Sequence, residues 1–261
     1  MIDVIKKHFS LLCDLRRKYK IEIVTDVQDN DPVINYKISD KKTLTPYLEF
    51  LRDELAIYPV TLVNKLQLDR IVLCSHLAKL DKPVSGCASM SLFPDSLPLR
   101  MLFKKNTIYL DIIYGGTMDG RVTVHHELFH AVESHGDTWP RYLDEQWPKL
   151  NPPAFRYREE AQERASKYSV DVDGFLTDYS MESVREDKAE LFSHMIVNLA
   201  RVEKFARKDA FLKAKVDRMK QLMRKFCYEV NDDFWTTRNQ QSDNGGSLFR
   251  DYDDLLLNRL R

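Results

Sequence analysis

Apolar positions recur along this chain with two periods, and each period predicts a kind of element. Over 2–19, Ile2, Ile5, Phe9, Leu12 and Leu15 share one face of a 3.6-residue repeat, with lysines and arginines elsewhere, which predicts an amphipathic helix packed through that face. The same period returns over 43–55, where Leu48, Leu51 and Leu55 point inward. It returns again over 184–208 and 210–229, where Leu191, Met195, Leu199 and then Leu212, Val216, Met219, Met223 form inward stripes. These methionines read as core. Short β-branched runs at 21–25, 70–75 and 106–113 predict strands.

Between these segments the punctuation is polar or rich in proline and glycine. Residues 26–32 read as a loop, as does the connection holding Pro83, Gly86, Pro94 and Pro98. The stretch 147–157 (WPKLNPPAFRY) carries too much proline for regular structure. It is followed by a short charged helix over 158–168 and a loop over 169–180. Residues 239–247 (NQQSDNGGS) read as a linker before an end containing Leu255, Leu256, Leu257 and Leu260. No internal repeat is visible. The proportions predict one α+β catalytic domain over 1–236 and a linker with a short tail over 237–261.

The most specific chemistry lies in 117–135, TMDGRVTVHHELFHAVESH. Val122, Leu128, Phe129, Ala131 and Val132 mark a helix, and no glycine or proline falls between Arg121 and His135. Gly115, Gly116 and Gly120 mark where it can begin. Within it His126-Glu127-Leu128-Phe129-His130 is an HExxH pattern: positions i and i+4 share a helix face, so both imidazoles can reach one ion while Glu127 lies beside them as a base. With 7 histidines in 261 residues, such a pattern arises by accident in roughly 1% of chains of this composition. His125 reads as a bystander, since its i+4 neighbour is Phe129, and His135 as a polar residue ending the helix.

Composition narrows the function classes. The 40 basic and 40 acidic residues cancel, and no long basic run is present, which argues against nucleic acid or an anionic membrane surface as partner. Cys13, Cys74, Cys87 and Cys227 form no CxxC pair, so neither a thiolate zinc site nor a disulfide framework is predicted. The beginning, MIDVIKKHF, lacks a signal-peptide pattern, and no stretch is long enough to span a bilayer. A cytoplasmic protein is expected, or one exported without a signal peptide.

A catalytic zinc usually takes three protein ligands and keeps a position for water, so two histidines leave one ligand to find. The metzincin histidine is absent at its spacing. A downstream helix offers Glu186, Glu190 and His194 at four-residue intervals, and any of them can face the metal. A non-metal reading of Glu186 is a capping box with Ser183.

At these residues the chain resembles the gluzincin family of zinc metallopeptidases, HExxH followed by a helix-borne Glu, and is similar to the protease domain of anthrax lethal factor. Tyr179, Glu186 and Glu190 repeat that domain's spacing. The WPKLNPPAFRY loop is loosely similar to bacterial zinc metallopeptidases. The resemblance implies Glu186 as third ligand, Glu190 as an acid behind the ligands and Tyr179 as an oxyanion-binding hydroxyl. It also implies a zincin-like fold, with a small mixed sheet, an edge strand over the cleft, the HExxH helix and a C-terminal helical part. The implied activity is a zinc endopeptidase with one Zn2+ per chain and Glu127 as general base, including a secreted effector or toxin protease acting in a host cytoplasm. Its substrate would be an extended protein or peptide segment paired along the edge strand. Two other classes remain: a zinc-binding regulatory protein without turnover, and a zinc amidase acting on small or cell-wall peptides. The sequence carries no signal for oligomeric state.

Overall fold

The computed structural model describes residues 2–26, 33–38, 41–90, 106–115, 117–134, 144–158 and 172–241. The chain forms two compact units, Met1–Arg141 and Tyr142–Arg261.

The first unit is built on a mixed sheet. Helix α1 (Ile2–Tyr19) leads into β1 (Glu22–Val24), and β2 (Ile34–Lys37) precedes α2 (Lys41–Leu55) and α3 (Val60–Lys65). Then come β3 (Arg70–Lys79), β4 (Lys82–Pro83), β5 (Gly86–Ser89), β6 (Thr107–Asp111) and α4 (Met118–Ser134). The strand order is β1-β3-β6-β5, with β3 parallel to both β1 and β6, and β5 antiparallel to β6. The far half of β3 pairs instead with β2 and β4. Ile71, Val72, Leu73 and Cys74 are buried in succession rather than in alternation, as expected of a strand covered on both faces.

Several expectations change here. The loop expected around Pro83 and Gly86 contains β4 and β5, strands too short to show a period. Strand β3 runs beyond residue 75 to Lys79, and β6 stops at Asp111, whose carboxylate accepts from Ile113 N at 3.0 Å and turns the chain into a 3-10 helix over Ile112–Tyr114. The inward face of α1 is His8, Leu11, Leu15 and Tyr19, while Phe9 is 56% exposed. His8 takes an inward slot because its Nδ1 lies 3.2 Å from Thr45 Oγ1 on α2, so a polar residue sits where an apolar one was expected. Leu48, Leu51 and Leu55 are fully buried as predicted.

The second unit is helical. Irregular segments with 3-10 turns at Pro148–Leu150 and Tyr179–Met181 precede α5 (Val184–Ala206), α6 (Ala210–Phe226) and α7 (Asp232–Gln240). Ser183, Asp209 and Asn231 cap the three helices by accepting from their first free backbone N–H groups. Asn198 breaks the regular path of α5 (φ −152°, ψ 77°) and restarts it, its side chain accepting from Arg201 N. The predicted stripes from Leu191 to Leu199 and from Leu212 to Met223 are buried. Helix α7 extends through Asn239 and Gln240, which the sequence assigns to a linker.

The side chains of Ile2 and Ile5, the loop residues 27–32, Pro94, Pro98, Gly116, His135, residues 159–171 and the Leu-rich end lie outside the described residues. Among the described residues, no helix is long and apolar enough to cross a membrane.

Candidate functional site

Helix α4 packs on β5 and β6 and touches α2, so it is enclosed along most of its length, and His125, His126, Glu127 and His130 are all buried. The i, i+4 spacing has the predicted consequence. Nε2 of His126 and Nε2 of His130 lie 3.1 Å apart, with ring centroids 4.7 Å apart and planes at 89°. Two zinc–nitrogen bonds of about 2.0–2.1 Å at a tetrahedral angle hold their nitrogens about 3.3 Å apart, so this pair fits a shared zinc ion. Glu127 is 6% exposed, and its Oε2 is buried without a hydrogen-bond partner among the described residues. An orphaned carboxylate oxygen is costly in a protein interior unless a proton or a cation comes to it.

The edge of the sheet reaches this turn of the helix. Strand β5 ends the strand order, and an added Cβ on Gly86 would lie 3.0 Å from Glu127 Cγ and 2.6 Å from Thr123 Cγ2. Glycine is what lets the β5 backbone approach the helix this closely. Thr123 Oγ1 also donates to Ser85 Oγ at 2.9 Å.

His125 belongs to a separate buried network. Its Nδ1 lies 2.7 Å from the Tyr58 hydroxyl and its Nε2 2.9 Å from Glu54 Oε2, while Arg121 Nε donates to Glu54 Oε1 at 2.8 Å. Burial raises the Glu54 pKa, but His125 and Arg121 outweigh it and hold the carboxyl below its usual value. His125 thus ties α4 to α2, a structural role for the histidine that the spacing set aside. Glu133, which the sequence reading missed, places Oε2 3.5 Å from His130 Nδ1. Its i+3 position from His130 is the signal that could have found it.

In the second unit, Tyr179 opens a 3-10 turn with its side chain 51% exposed. Ser183 Oγ accepts from Glu186 N at 3.1 Å, and Glu186 stands half-buried in the first turn of α5. Glu190 is buried and accepts from Thr177 Oγ1 at 2.7 Å, with His194 Nε2 3.8 Å from the same oxygen. A carboxylate at the helix start is favoured by the backbone dipole as well.

Residues 113–237 match the model of a family described as "Putative zinc-binding metallo-peptidase", a span that includes His126, Glu127, His130, Tyr179, Glu186 and Glu190. The match covers just under half of the chain. A crystal structure of a "putative zinc-binding metallo-peptidase" from Bacteroides caccae ATCC 43185 is similar at a TM-score of 0.56 and 14% identity, over 90% of this chain and 91% of that one. The chain therefore has the mixed α+β fold of that protein. No curated protein matches it.

Proposed function

We propose that this chain is a gluzincin-type zinc endopeptidase with one Zn2+ per chain, His126, His130 and Glu186 being the donors and Glu127 the base. The observation that carries the reading is the pair of buried imidazole nitrogens 3.1 Å apart, next in sequence to a carboxylate with an orphaned oxygen. The descriptions of the matched family and of the similar crystal structure support zinc and peptide-bond chemistry.

A zinc ion held by these donors would supply Lewis acidity, lowering the pKa of a water toward neutrality. Glu127 takes the water proton on its orphaned oxygen and delivers it to the departing amine, acting as base and then acid. Tyr179, about half exposed, is the residue whose hydroxyl would donate to the oxyanion as charge develops on it. Glu133 holds His130 through Nδ1, which leaves Nε2 for the metal. Glu190 steadies the Thr177 segment, and through it the approach to Tyr179. The substrate is an extended polypeptide laid along β5, where main-chain hydrogen bonds accept many sequences. We place its action in a cytoplasm, that of the producing cell or, for an exported effector, that of a host.

Metal analysis tests the donor set directly. The purified protein is expected to hold about one zinc, which His126→Ala with His130→Ala removes; unchanged metal content in that variant would refute the site. Zinc bound with no turnover of any substrate would place the chain among binding proteins, and turnover restricted to small amides would make it an amidase.

A further inference from the structure

Behind the first turn of α5 lies a buried cluster that the proposed chemistry does not use. Asp187 Oδ2 accepts three hydrogen bonds: from Trp147 Nε1 at 2.8 Å, from the Tyr157 hydroxyl at 2.7 Å and from Lys215 Nζ at 2.8 Å. The Lys215 side chain is 0% exposed and that of Asp187 2%. Lys215 Nζ also donates to Gly174 O at 2.8 Å and sits 3.5 Å from the centroid of the Phe175 ring. Gly174 is held from its other side by Asp209, which accepts from its N–H at 2.6 Å, and its φ of +89° suits only glycine.

We propose that the Lys215–Asp187 pair, with Trp147 and Tyr157, is a positioning device that sets the direction of Glu186 and the path of the segment carrying Tyr179. The inference rests on Glu186 being a metal donor. Successive residues on a helix are turned by about 100°, so anchoring Asp187 inward fixes the rotation of the turn and with it the direction of the preceding Glu186. The two bonds of Lys215 reach Gly174 and Asp187, and between those points lie Thr177, Tyr179 and Glu186. The proline-rich 147–157 loop gains a purpose: both of its ends supply donors to one carboxylate oxygen. A buried ion pair contributes little stability compared with apolar residues of the same volume, so stability alone does not account for it. Its location immediately behind Glu186 does.

The test measures zinc affinity of the metal-free protein by chelator competition, alongside kcat and KM. Lys215→Met combined with Asp187→Asn removes both charges together and leaves Asn an acceptor for Trp147 and Tyr157. The expected result is a folded protein whose zinc affinity falls roughly 10–100-fold, with kcat reduced and KM nearly unchanged. In a Glu186→Gln background the same pair of changes is expected to add little, because its effect passes through Glu186. Wild-type zinc affinity in the paired variant, with affinity lost in Glu186→Gln, overturns the inference and leaves the proposed function standing. A loss of undiminished size in the Glu186→Gln background overturns it too, since the effect would then be general. Wild-type affinity in Glu186→Gln alone removes the ligand assignment and the inference together. Should the paired variant fail to fold, Tyr157→Phe keeps the ion pair and removes one donor. A smaller loss of zinc affinity is then expected, and no loss overturns the inference.

Discussion

At Glu186 two physical explanations meet in one residue, and the structure separates them by atom. The cap bond to Ser183 Oγ uses the Glu186 backbone N–H rather than its carboxylate, so a helix cap and a metal donor can coexist there. Glu186→Gln is therefore expected to keep the melting temperature of the metal-free protein while losing zinc affinity and hydrolysis. If Glu190→Gln loses metal and Glu186→Gln does not, the donor is one helical turn further on. Tyr179→Phe is expected to retain zinc and fold, since the side chain is 51% exposed, and to lower kcat about 10²-fold, the scale of one lost oxyanion donor. Steady-state kinetics with parallel metal analysis distinguishes the two roles. At this scale the sequence is legible where geometry is local: the approach of His126 to His130, with Glu127 beside them, follows from helical spacing alone. The partners of His125 are not legible, because Glu54 and Tyr58 lie 71 and 67 residues away in sequence.

Helices with a long apolar repeat are read correctly, as are the β-branched strands β1, β3 and β6, whereas β2, β4 and β5 are not. Helices α2, α4, α5 and α6 each repeat their apolar stripe over several turns, so chance disturbs them little. Strands β4 and β5 have 2 and 4 residues and contain Pro83 and Gly86, so their pairing is decided by β3 and β6 rather than by their own residues. The edge strand beside the candidate site was thus hidden in what looks like a loop. Gly86→Ala tests that close approach: its Cβ forces β5 and α4 apart, with an expected cost of about 1–3 kcal/mol in stability. Activity is expected to fall on the order of 10²-fold, as a displaced base allows. Full activity in that variant would show that β5 does not govern Glu127. The tie between α4 and α2 has its own signature in pH. Glu54 has a lowered pKa in the folded protein, so its contribution is complete above its ordinary value of 4.5 and is lost as pH falls through the lower native value. Glu54→Gln is expected to melt below wild type at neutral pH, the gap closing in acid, as calorimetry across that range will show.

For the whole molecule, the α+β class follows from the order of elements, whereas the mixed sheet depends on pairings distant in sequence. Those pairings yield a fold shared with the Bacteroides caccae protein at 14% identity, so the architecture persists where few residues do. Metal binding should register as global stability, because an ion that binds only the folded chain stabilises it by about 2.7 kcal/mol at a hundred times its dissociation constant. Chelation is expected to lower the melting temperature of wild type and not that of the variant lacking His126 and His130. The most direct measurement pairs zinc content with mass-spectrometric detection of new peptide termini, for wild type and Glu127→Gln incubated with a denatured protein mixture. Both proteins are predicted to hold about one zinc per chain, with cleavage products from wild type and nearly none from Glu127→Gln. Equal cleavage by the two, or zinc-loaded wild type that cuts no polypeptide, would contradict a zinc endopeptidase with Glu127 as its base.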